Sequence, residues 1–376
     1  MLYKALFQHL LKSWRTAAAF VFLAALPARA QPYKIAIIGL VHSHYGGQLP
    51  RMVRSEQVKL VGIAETIPEL VAEAKGRGAK DIPFFDNYKK MLDETKPDIV
   101  WAFVENNRHL EILKECAPRH IHMIFEKPLA STYKDALAMV DLAAKYNVKV
   151  MCNYQMAWWA ANTLAKQEVD KGAIGKPWRL HGIVGHGGPG STGPGKYFFD
   201  WLTDPVKNGA GALVDFGCYN ALWSLWYMGK PETVYAEAIH LRPETFPKVE
   251  DSAMLALHYK TGINIFEGSW DLPRSFQDLE VFGSTTAPDG SLTRGSIYMT
   301  QQKVELRRGR ETKELPLTPL APEQADPIAF MVDAVKNNKP IEGITALDIN
   351  TGVVEIIEAA RQSIQQGRAI KLPLGR

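Results

Sequence analysis

The sequence predicts an α/β fold in two domains. The first is an N-terminal Rossmann domain with a doubly wound parallel sheet, and the second is a C-terminal α+β domain with a mostly antiparallel open sheet. The 376-residue chain is longer than one hydrophobic core usually organises. Short apolar runs alternate with amphipathic segments in its first part, whereas strand-like runs follow one another in its second part. We expect a leader at residues 1–30, the Rossmann domain at 31–153 and the second domain at 154–376.

Residues 1–30 have the parts of a secretory signal peptide. Four basic residues and no acidic one accompany an apolar stretch at residues 16–27, and Ala28-Arg29-Ala30 forms an A-x-A cleavage site before Gln31. The apolar stretch is shorter than the roughly 20 residues that a membrane-spanning helix needs. We therefore expect cleavage and a periplasmic or secreted protein, with an uncleaved anchor or a wrongly assigned start codon as the alternatives.

The composition argues against two kinds of partner. The formal net charge is +4, and four basic residues belong to the leader, so the remaining chain is near neutral and no nucleic-acid partner is expected. No later segment is apolar enough to cross a membrane, so no membrane association is expected after cleavage. Cys116, Cys152 and Cys218 are widely spaced, which predicts buried thiols rather than a disulfide framework or a cysteine metal site.

Continuous apolar runs separated by helical segments are typical of β-α-β units whose parallel sheet is buried on both faces. The predicted strands of the first domain are Ile35–Ile38, Val58–Ala64, Ile99–Val104, Met123–Phe125 and Val148–Met151. The predicted amphipathic helices between them include Pro68–Lys75, His109–Cys116 and Tyr133–Lys145.

The pattern changes near residue 177. A strand at Arg179–Val184 precedes a loop rich in glycine and proline at Gly185–Gly195, and a helix is expected at about Gly211–Met228. Further strands without helices between them predict an antiparallel sheet, and two C-terminal helices are expected to pack back on one of the domains. These remaining elements are Thr233–His240, Ala253–Tyr259, Ile263–Trp270 and Leu279–Phe282 as strands, and Pro327–Lys336 and Leu347–Gln366 as helices.

The first βα turn contains an incomplete dinucleotide-binding fingerprint. Gly39 occupies the first glycine position, which allows a tight turn, but Val41 and His44 stand at the second and third positions. His42 and His44 can donate hydrogen bonds to phosphate oxygens at the start of the next helix, or they can pack within the loop. A metal site formed by His42 and His44 with His186 is a weaker alternative, and we expect no metal.

Glu65 ends the second predicted strand, at the interval expected after the loop. An acidic side chain there accepts hydrogen bonds from ribose hydroxyls and repels a 2′-phosphate. The position therefore favours NAD, with NADP as the alternative. A solvated carboxylate at a helix start is the structural alternative.

Two further groups are expected to line a site. Glu126-Lys127-Pro128 ends a strand at the carboxyl edge of the sheet, where ligands bind, and a lysine there can hydrogen-bond a substrate hydroxyl or carbonyl. Asp215 and Tyr219 are four residues apart on the second domain's helix and share one face. An acid and a phenol on one face can orient a sugar and transfer its proton. A helix cap with a core tyrosine is the alternative for this pair.

In combination, Gly39, Glu65, Glu126-Lys127-Pro128 and the Asp215…Tyr219 helix resemble the Gfo/Idh/MocA family, and the resemblance covers essentially the whole chain after the leader. It implies NAD or NADP bound by the Rossmann domain and a sugar or polyol held against an open sheet. It also implies a homo-oligomer. Lys127 is implied to be the catalytic lysine, with Asp215 beside it, and Tyr219 stands where many members have a histidine acid or base.

The same resemblance implies further cofactor contacts. Asn106 and His109 match two positions of a family motif after the fourth strand and are implied to lie near the nicotinamide. Glu126 and Lys127 are expected in the cofactor site as well. Because a phenol ordinarily has a pKa near ~10, Lys127 would have to lower the pKa of Tyr219 or stabilise its phenolate.

Aromatic and polar residues around the glycine-rich loop suggest a sugar site. Flat aromatic faces stack on carbohydrate, and the neighbouring polar groups bind hydroxyls. The candidate substrate contacts are Tyr154, His186, Asp200 and Trp201. An aromatic cluster that packs the sheet or a subunit interface is the alternative.

The leading hypothesis is an exported NAD(P)-dependent oxidoreductase that acts by hydride transfer on a hydroxyl or carbonyl of a sugar, glycoside or polyol, with its cofactor tightly held. One alternative is an NAD-dependent glycoside hydrolase or epimerase of the same family. The other is a catalytically silent exported sugar-binding protein, which the incomplete glycine loop favours.

Overall fold

The computed structural model describes residues 31–190 and 195–375, and the predicted signal peptide lies outside the described residues. The first sheet has six strands, and every pairing among them is parallel. They are β1 (Tyr33–Ile38), β2 (Val58–Ala64), β3 (Phe84–Phe85), β4 (Ile99–Ala102), β5 (His122–Glu126) and β6 (Val150–Asn153). Their order, β3-β2-β1-β4-β5-β6, reverses between β1 and β4, and ligands of such sheets bind at the carboxyl edge of that switch point.

Five α-helices accompany this sheet: α1 (Tyr45–Arg54), α2 (Pro68–Ala74), α3 (Tyr88–Thr95), α4 (His109–Cys116) and α5 (Tyr133–Tyr146). The next helix, α6 (Ala160–Asp170), packs on β12 and β13 of the second sheet. Two of the first five begin at side-chain caps that satisfy free backbone N–H groups. Asn87 accepts hydrogen bonds from the N–H groups of Lys89 and Lys90, and Thr132 accepts one from the N–H of Asp135.

The second sheet has nine strands, in the order β14-β13-β12-β11-β7-β10-β9-β8-β15 once numbered along the chain. All pairings are antiparallel except that between β7 and β10. The strands are β7 (Lys176–Gly185), β8 (Thr233–Ile239), β9 (Ser252–Tyr259), β10 (Gly262–Ser269), β11 (Phe276–Thr286), β12 (Leu292–Met299), β13 (Val304–Arg308), β14 (Glu311–Leu315) and β15 (Ile370–Lys371).

Four helices belong to this second part: α7 (Gly195–Leu202), α8 (Ala212–Met228), α9 (Pro327–Lys336) and α10 (Leu347–Gln366). The middle of α8 is buried on every side, because it packs against β7, β9 and β10 and is covered by α10. α10 also contacts α5, and apolar residues of α9 join the core cluster around β1. The C-terminal helices therefore tie the two sheets together and fix the start of α8 against the edge of the first sheet.

The structure confirms the fold class. The two C-terminal helices have the predicted bounds and pack back on the Rossmann domain, and the three cysteines are free and buried. The two-residue strands β3 and β15 and the strands β12–β14, which lack a clear apolar alternation, were not predicted. The helices α3, α6 and α7 were not predicted either. Among the described residues, none of the helices is both long and apolar enough to span a membrane.

Candidate active site

Lys127 follows β5 at the carboxyl edge of the parallel sheet and reaches the start of α8. Its side chain is 6% exposed, and its Nζ donates a hydrogen bond of 3.0 Å to the backbone oxygen of Asp215. Nζ also forms a short ion pair with Asp215 Oδ1. Asp215 Oδ2 accepts a 2.8 Å hydrogen bond from Trp270 Nε1. The buried lysine is therefore fixed by a carboxylate that is itself held from behind.

Tyr219 lies one turn further along α8 and is also buried. Lys127 Nζ lies over the face of its ring, 5.2 Å from the centroid, and Tyr154 packs edge-on against the ring at 5.3 Å. The structure thus brings together the three residues predicted to be catalytic. Tyr154 is fully buried against the Tyr219 ring, and its predicted contact with substrate stays a prediction.

Burial and charge act in opposite directions on these groups. Burial alone would lower the pKa of Lys127, but the Asp215 carboxylate outweighs it, so the lysine pKa is raised. Burial alone would raise the pKa of Asp215, and Lys127 nevertheless holds it below its usual value. The pair is therefore charged. Burial raises the pKa of Tyr219, and the opposing effect of Lys127 is smaller. This result differs from the expectation that Lys127 would lower the pKa of the phenol.

The turn after β1 has the conformation of a dinucleotide-binding turn at its first glycine. Gly39 has φ +74°, and a Cβ there would lie 2.4 Å from Val104 Cγ1, so only glycine is suited to the position. Glu65 Oε2 accepts a 2.7 Å hydrogen bond from the N–H of Leu40, and its Oε1 accepts bonds from two N–H groups at the start of α2. Glu65 therefore holds the turn in place at the tip of β2.

A cavity of about 270 Å³ lies beside this turn. Gly39, Val41 and Glu65 line it, together with Asp86, Tyr88 and Arg108, which the sequence analysis did not single out. The carboxylates of its lining, Glu65, Asp86 and Glu105, suit ribose hydroxyls and disfavour a 2′-phosphate. Arg108 lies near Glu105 and Glu111, at 3.4 and 3.5 Å, which offset its charge. This end of the site fits the adenosine half of NAD.

The next part of the turn departs from the fingerprint. His42 is buried and packs on the rings of Phe198 and Trp201, at 5.2 and 5.5 Å, so it follows the loop-packing alternative. Burial lowers its pKa well below the usual value. His44 Nδ1 lies 2.7 Å from Glu126 Oε2. Side chains therefore stand where the second and third glycines would admit a diphosphate, and this part of the site differs from the family pattern.

Three residues predicted near the cofactor also have partners within the protein, while Asn106 Oδ1 and His109 Nε2 are buried without a hydrogen-bond partner among the described residues. Asn106 Nδ2 donates to Asn208 Oδ1 at 2.8 Å, and both residues are buried. His109 is buried on Phe125, its Nδ1 donates to the Leu129 carbonyl, and burial lowers its pKa to about 4. The third residue is Glu126, which is fully buried. The sequence motif could not show these partners, which come from distant segments.

The remaining substrate candidates lie in different surroundings. His186 is half-buried at the end of β7, where its Nδ1 accepts a 3.0 Å hydrogen bond from the N–H of Gly188 and burial lowers its pKa. Asp200 is exposed on α7. Trp201 is buried and donates from Nε1 to the Val41 carbonyl at 3.1 Å, so it holds the turn rather than presenting a free face for a sugar. Of these three, only His186 lies near Lys127 and Asp215.

The parallel sheet, the Gly39 turn and the buried lysine at the carboxyl end of β5 define a Rossmann-type oxidoreductase. Residues 33–154 match the oxidoreductase family with an NAD-binding Rossmann fold, and residues 163–287 match the Gfo/Idh/MocA C-terminal domain. The chain belongs to the Gfo/Idh/MocA family.

Similar proteins act on sugars and polyols. The chain is 28% identical to levoglucosan dehydrogenase of Pseudarthrobacter phenanthrenivorans, over 79% of this chain and 78% of that protein. It is 22% identical to myo-inositol 2-dehydrogenase of Thermotoga maritima, over 85% and 95%. A crystal structure of aldose-aldose oxidoreductase from Caulobacter crescentus shares the fold, with a TM-score of 0.74, 21% identity and coverage of 91% and 100%. These matches support an NAD(P)-dependent sugar oxidoreductase function.

Proposed function

We propose that the protein is an exported NAD-dependent oxidoreductase that acts on a ring hydroxyl of a sugar, glycoside or cyclic polyol, with Lys127, Asp215 and Tyr219 as its catalytic site. The observation that carries the proposal is the buried Lys127–Asp215 pair beneath the Tyr219 ring, at the carboxyl end of β5. Levoglucosan and myo-inositol, named in two relatives, are both cyclic and polyhydroxylated.

Each residue has a separate role in this proposal. When bound, NAD would supply the hydride acceptor for oxidation, and its reduced form the hydride donor for reduction. Lys127 is cationic at neutral pH and stabilises negative charge that develops on the substrate oxygen. Asp215 fixes the position of Lys127. Tyr219 holds its proton at neutral pH and donates it to the substrate oxygen during carbonyl reduction.

The cofactor preference follows from the cavity beside Gly39. Glu65 and Asp86 are both acidic and line the part that fits adenosine, so we propose NAD rather than NADP. Export from the cytoplasm favours a cofactor that stays bound through turnover, because free nicotinamide cofactor is expected to be scarce there. The signal-like residues 1–30 support the periplasmic or secreted location.

Native mass spectrometry with an absorbance spectrum, on protein purified from the exported fraction, tests these points together. We expect a chain that begins at Gln31 and carries one NAD, and a screen of sugars and polyols should then change the bound nicotinamide absorbance. A chain that binds neither NAD nor NADP would favour the sugar-binding alternative. A chain that retains residues 1–30 would contradict cleavage.

A further inference from the structure

His42, His44 and Glu126 form a polar cluster at the start of α1. Each offers one ligand atom, and these atoms lie within 4.8 Å of one another. Two imidazoles with one carboxylate are the protein ligands of many catalytic zinc sites, and the set suits other divalent transition metals. We propose that these three residues bind one divalent transition-metal ion of the zinc type.

The carboxylate of Glu126 is oriented as that of a metal ligand would be. It is fully buried, and its Oε1 accepts hydrogen bonds from Trp101 Nε1 and Asn153 Nδ2, both at 3.0 Å. Outer hydrogen bonds of this kind orient a ligating carboxylate. Its Oε2 faces His44, which is a cation only when protonated. One oxygen is therefore held by neutral donors, while the other faces the place where a cation would balance a buried charge.

The two histidines lie on one loop beside Glu126. Their ring centroids are 4.5 Å apart, and His42 Nδ1 accepts only a long hydrogen bond, 3.3 Å, from the N–H of His44. A metal–nitrogen bond would replace that weak contact. The His44 side chain is 21% exposed, so solvent reaches one side of the cluster. Three protein ligands leave a zinc ion an open position for water or a ligand oxygen.

The position of the cluster at the start of α1 indicates what a bound ion would do there. Helix starts in doubly wound sheets bind anions, and glycines at the second and third fingerprint positions normally let the backbone approach a diphosphate. Val41 and His44 stand at those positions here. A metal ion bound by His42, His44 and Glu126 would supply positive charge at the same helix start. The inference does not depend on the proposed reaction, since ion binding is measured without dinucleotide or sugar.

The test is equilibrium dialysis of chelator-stripped, tag-free protein against zinc(II), with bound metal counted by mass spectrometry and cobalt(II) spectra as a check of the ligand set. We expect one ion per chain. His44→Ala and Glu126→Gln each remove a ligand and should weaken zinc binding by about 100-fold or more. Asn153→Ala keeps all three ligands but removes a bond to Oε1, and should weaken binding by roughly 10- to 100-fold.

His181→Ala is the matched control, because His181 lies 3.6 Å from Glu267 as a half-exposed histidine–glutamate pair on the second sheet. Its zinc affinity should equal that of the unchanged protein. Thermal melting of each variant checks folding. If Glu126→Gln unfolds, His44→Ala tests the metal site alone, because it truncates only a partly exposed side chain. Protein that binds no stoichiometric zinc, or equal affinities in His44→Ala and His181→Ala, would overturn the proposal.

Discussion

The ammonium group of Lys127 lies over the face of the Tyr219 ring, and this geometry determines how strongly the lysine affects the pKa of the phenol. The ammonium group directs its hydrogen bonds at Asp215 and acts on Tyr219 only through its charge, while burial has the larger effect and raises the pKa of the phenol. At neutral pH the phenol is therefore a proton donor. Removal of a proton from a substrate hydroxyl becomes easier as pH rises, so oxidation should accelerate toward alkaline pH.

Tyr219→Phe tests this role directly. The change keeps the buried ring and its contact with Lys127 but removes the transferable proton, so kcat should fall by roughly 10²- to 10⁴-fold with bound NAD unchanged. Steady-state kinetics across pH should also show that the alkaline rise is lost. Tyr235→Phe, on the exposed β8 surface, is the control and should keep full activity. A Tyr219→Phe enzyme with unchanged turnover would refute the assigned role.

Lys127→Met should reduce stability as well as activity. The substitution leaves the Asp215 carboxylate buried without its cation, and removing one partner of such a pair typically costs about 3–5 kcal/mol. Urea denaturation measures the loss. Lys171→Met removes an exposed lysine that pairs with Glu168 at 2.8 Å, and its midpoint should not move measurably. Equal midpoints for the two variants would mean that the buried pair is not formed.

The buried side chain of His109 should make the free energy of unfolding depend on pH. Burial lowers its pKa to about 4, while the unfolded chain titrates near 6.5. Between these values the unfolded state binds a proton that the folded state does not, so stability is full above pH 6.5 and is lost as pH falls toward 4. The loss should be on the order of 3 kcal/mol. His109→Gln should flatten the pH dependence of stability, measured by urea denaturation, and leave the part due to other buried histidines such as His42 and His186.

At the scale of elements, two glycines near the first turn should respond in opposite ways to alanine. Gly39→Ala places a Cβ 2.4 Å from Val104 Cγ1 at a positive φ, so both stability and NAD affinity should fall. Gly47 lies inside α1 with open space around its Cβ, and Gly47→Ala should stabilise by about 0.5–1 kcal/mol. Thermal melts and NAD titrations of the pair separate local strain from a general effect. Similar results for both variants would contradict the described turn.

Elements that are strongly apolar or amphipathic could be predicted from the sequence, and those that depend on partners could not. β2, α4, α9 and α10 have the predicted bounds because their patterns are local. The proximity of Lys127, Asp215 and Tyr219 could be predicted because a strand end and a helix face carry them, and their catalytic roles stay a prediction. The burial of Trp201 could not be predicted, because its partner, the Val41 carbonyl, is 160 residues away in sequence, and its contact with a sugar stays a prediction. Asp86 belongs to no recognisable sequence motif, and its place beside Glu65 in the cavity lining could be seen only in the folded structure.

At the scale of the whole molecule, one face of the second sheet carries a large open cavity. A cavity of about 760 Å³ lies there, lined by Trp178, Phe282, Arg294 and Arg307 among others, and Trp178 is 40% exposed. An apolar patch with a polar surround is typical of a protein interface. We expect a second copy of the chain to cover this face, as the family resemblance implies, because a symmetric pair buries the same patch on both subunits.

Trp178→Glu should therefore separate the subunits. The substitution places a charge at the centre of the patch on each copy, so burying the face would require desolvating two like charges. Native mass spectrometry and sedimentation should show the unchanged protein as a multimer and the variant as a single chain. Val206→Glu alters a residue that is 73% exposed in the segment between α7 and α8, and it should leave the assembly intact. An unchanged protein that sediments as a single chain would contradict the expected assembly.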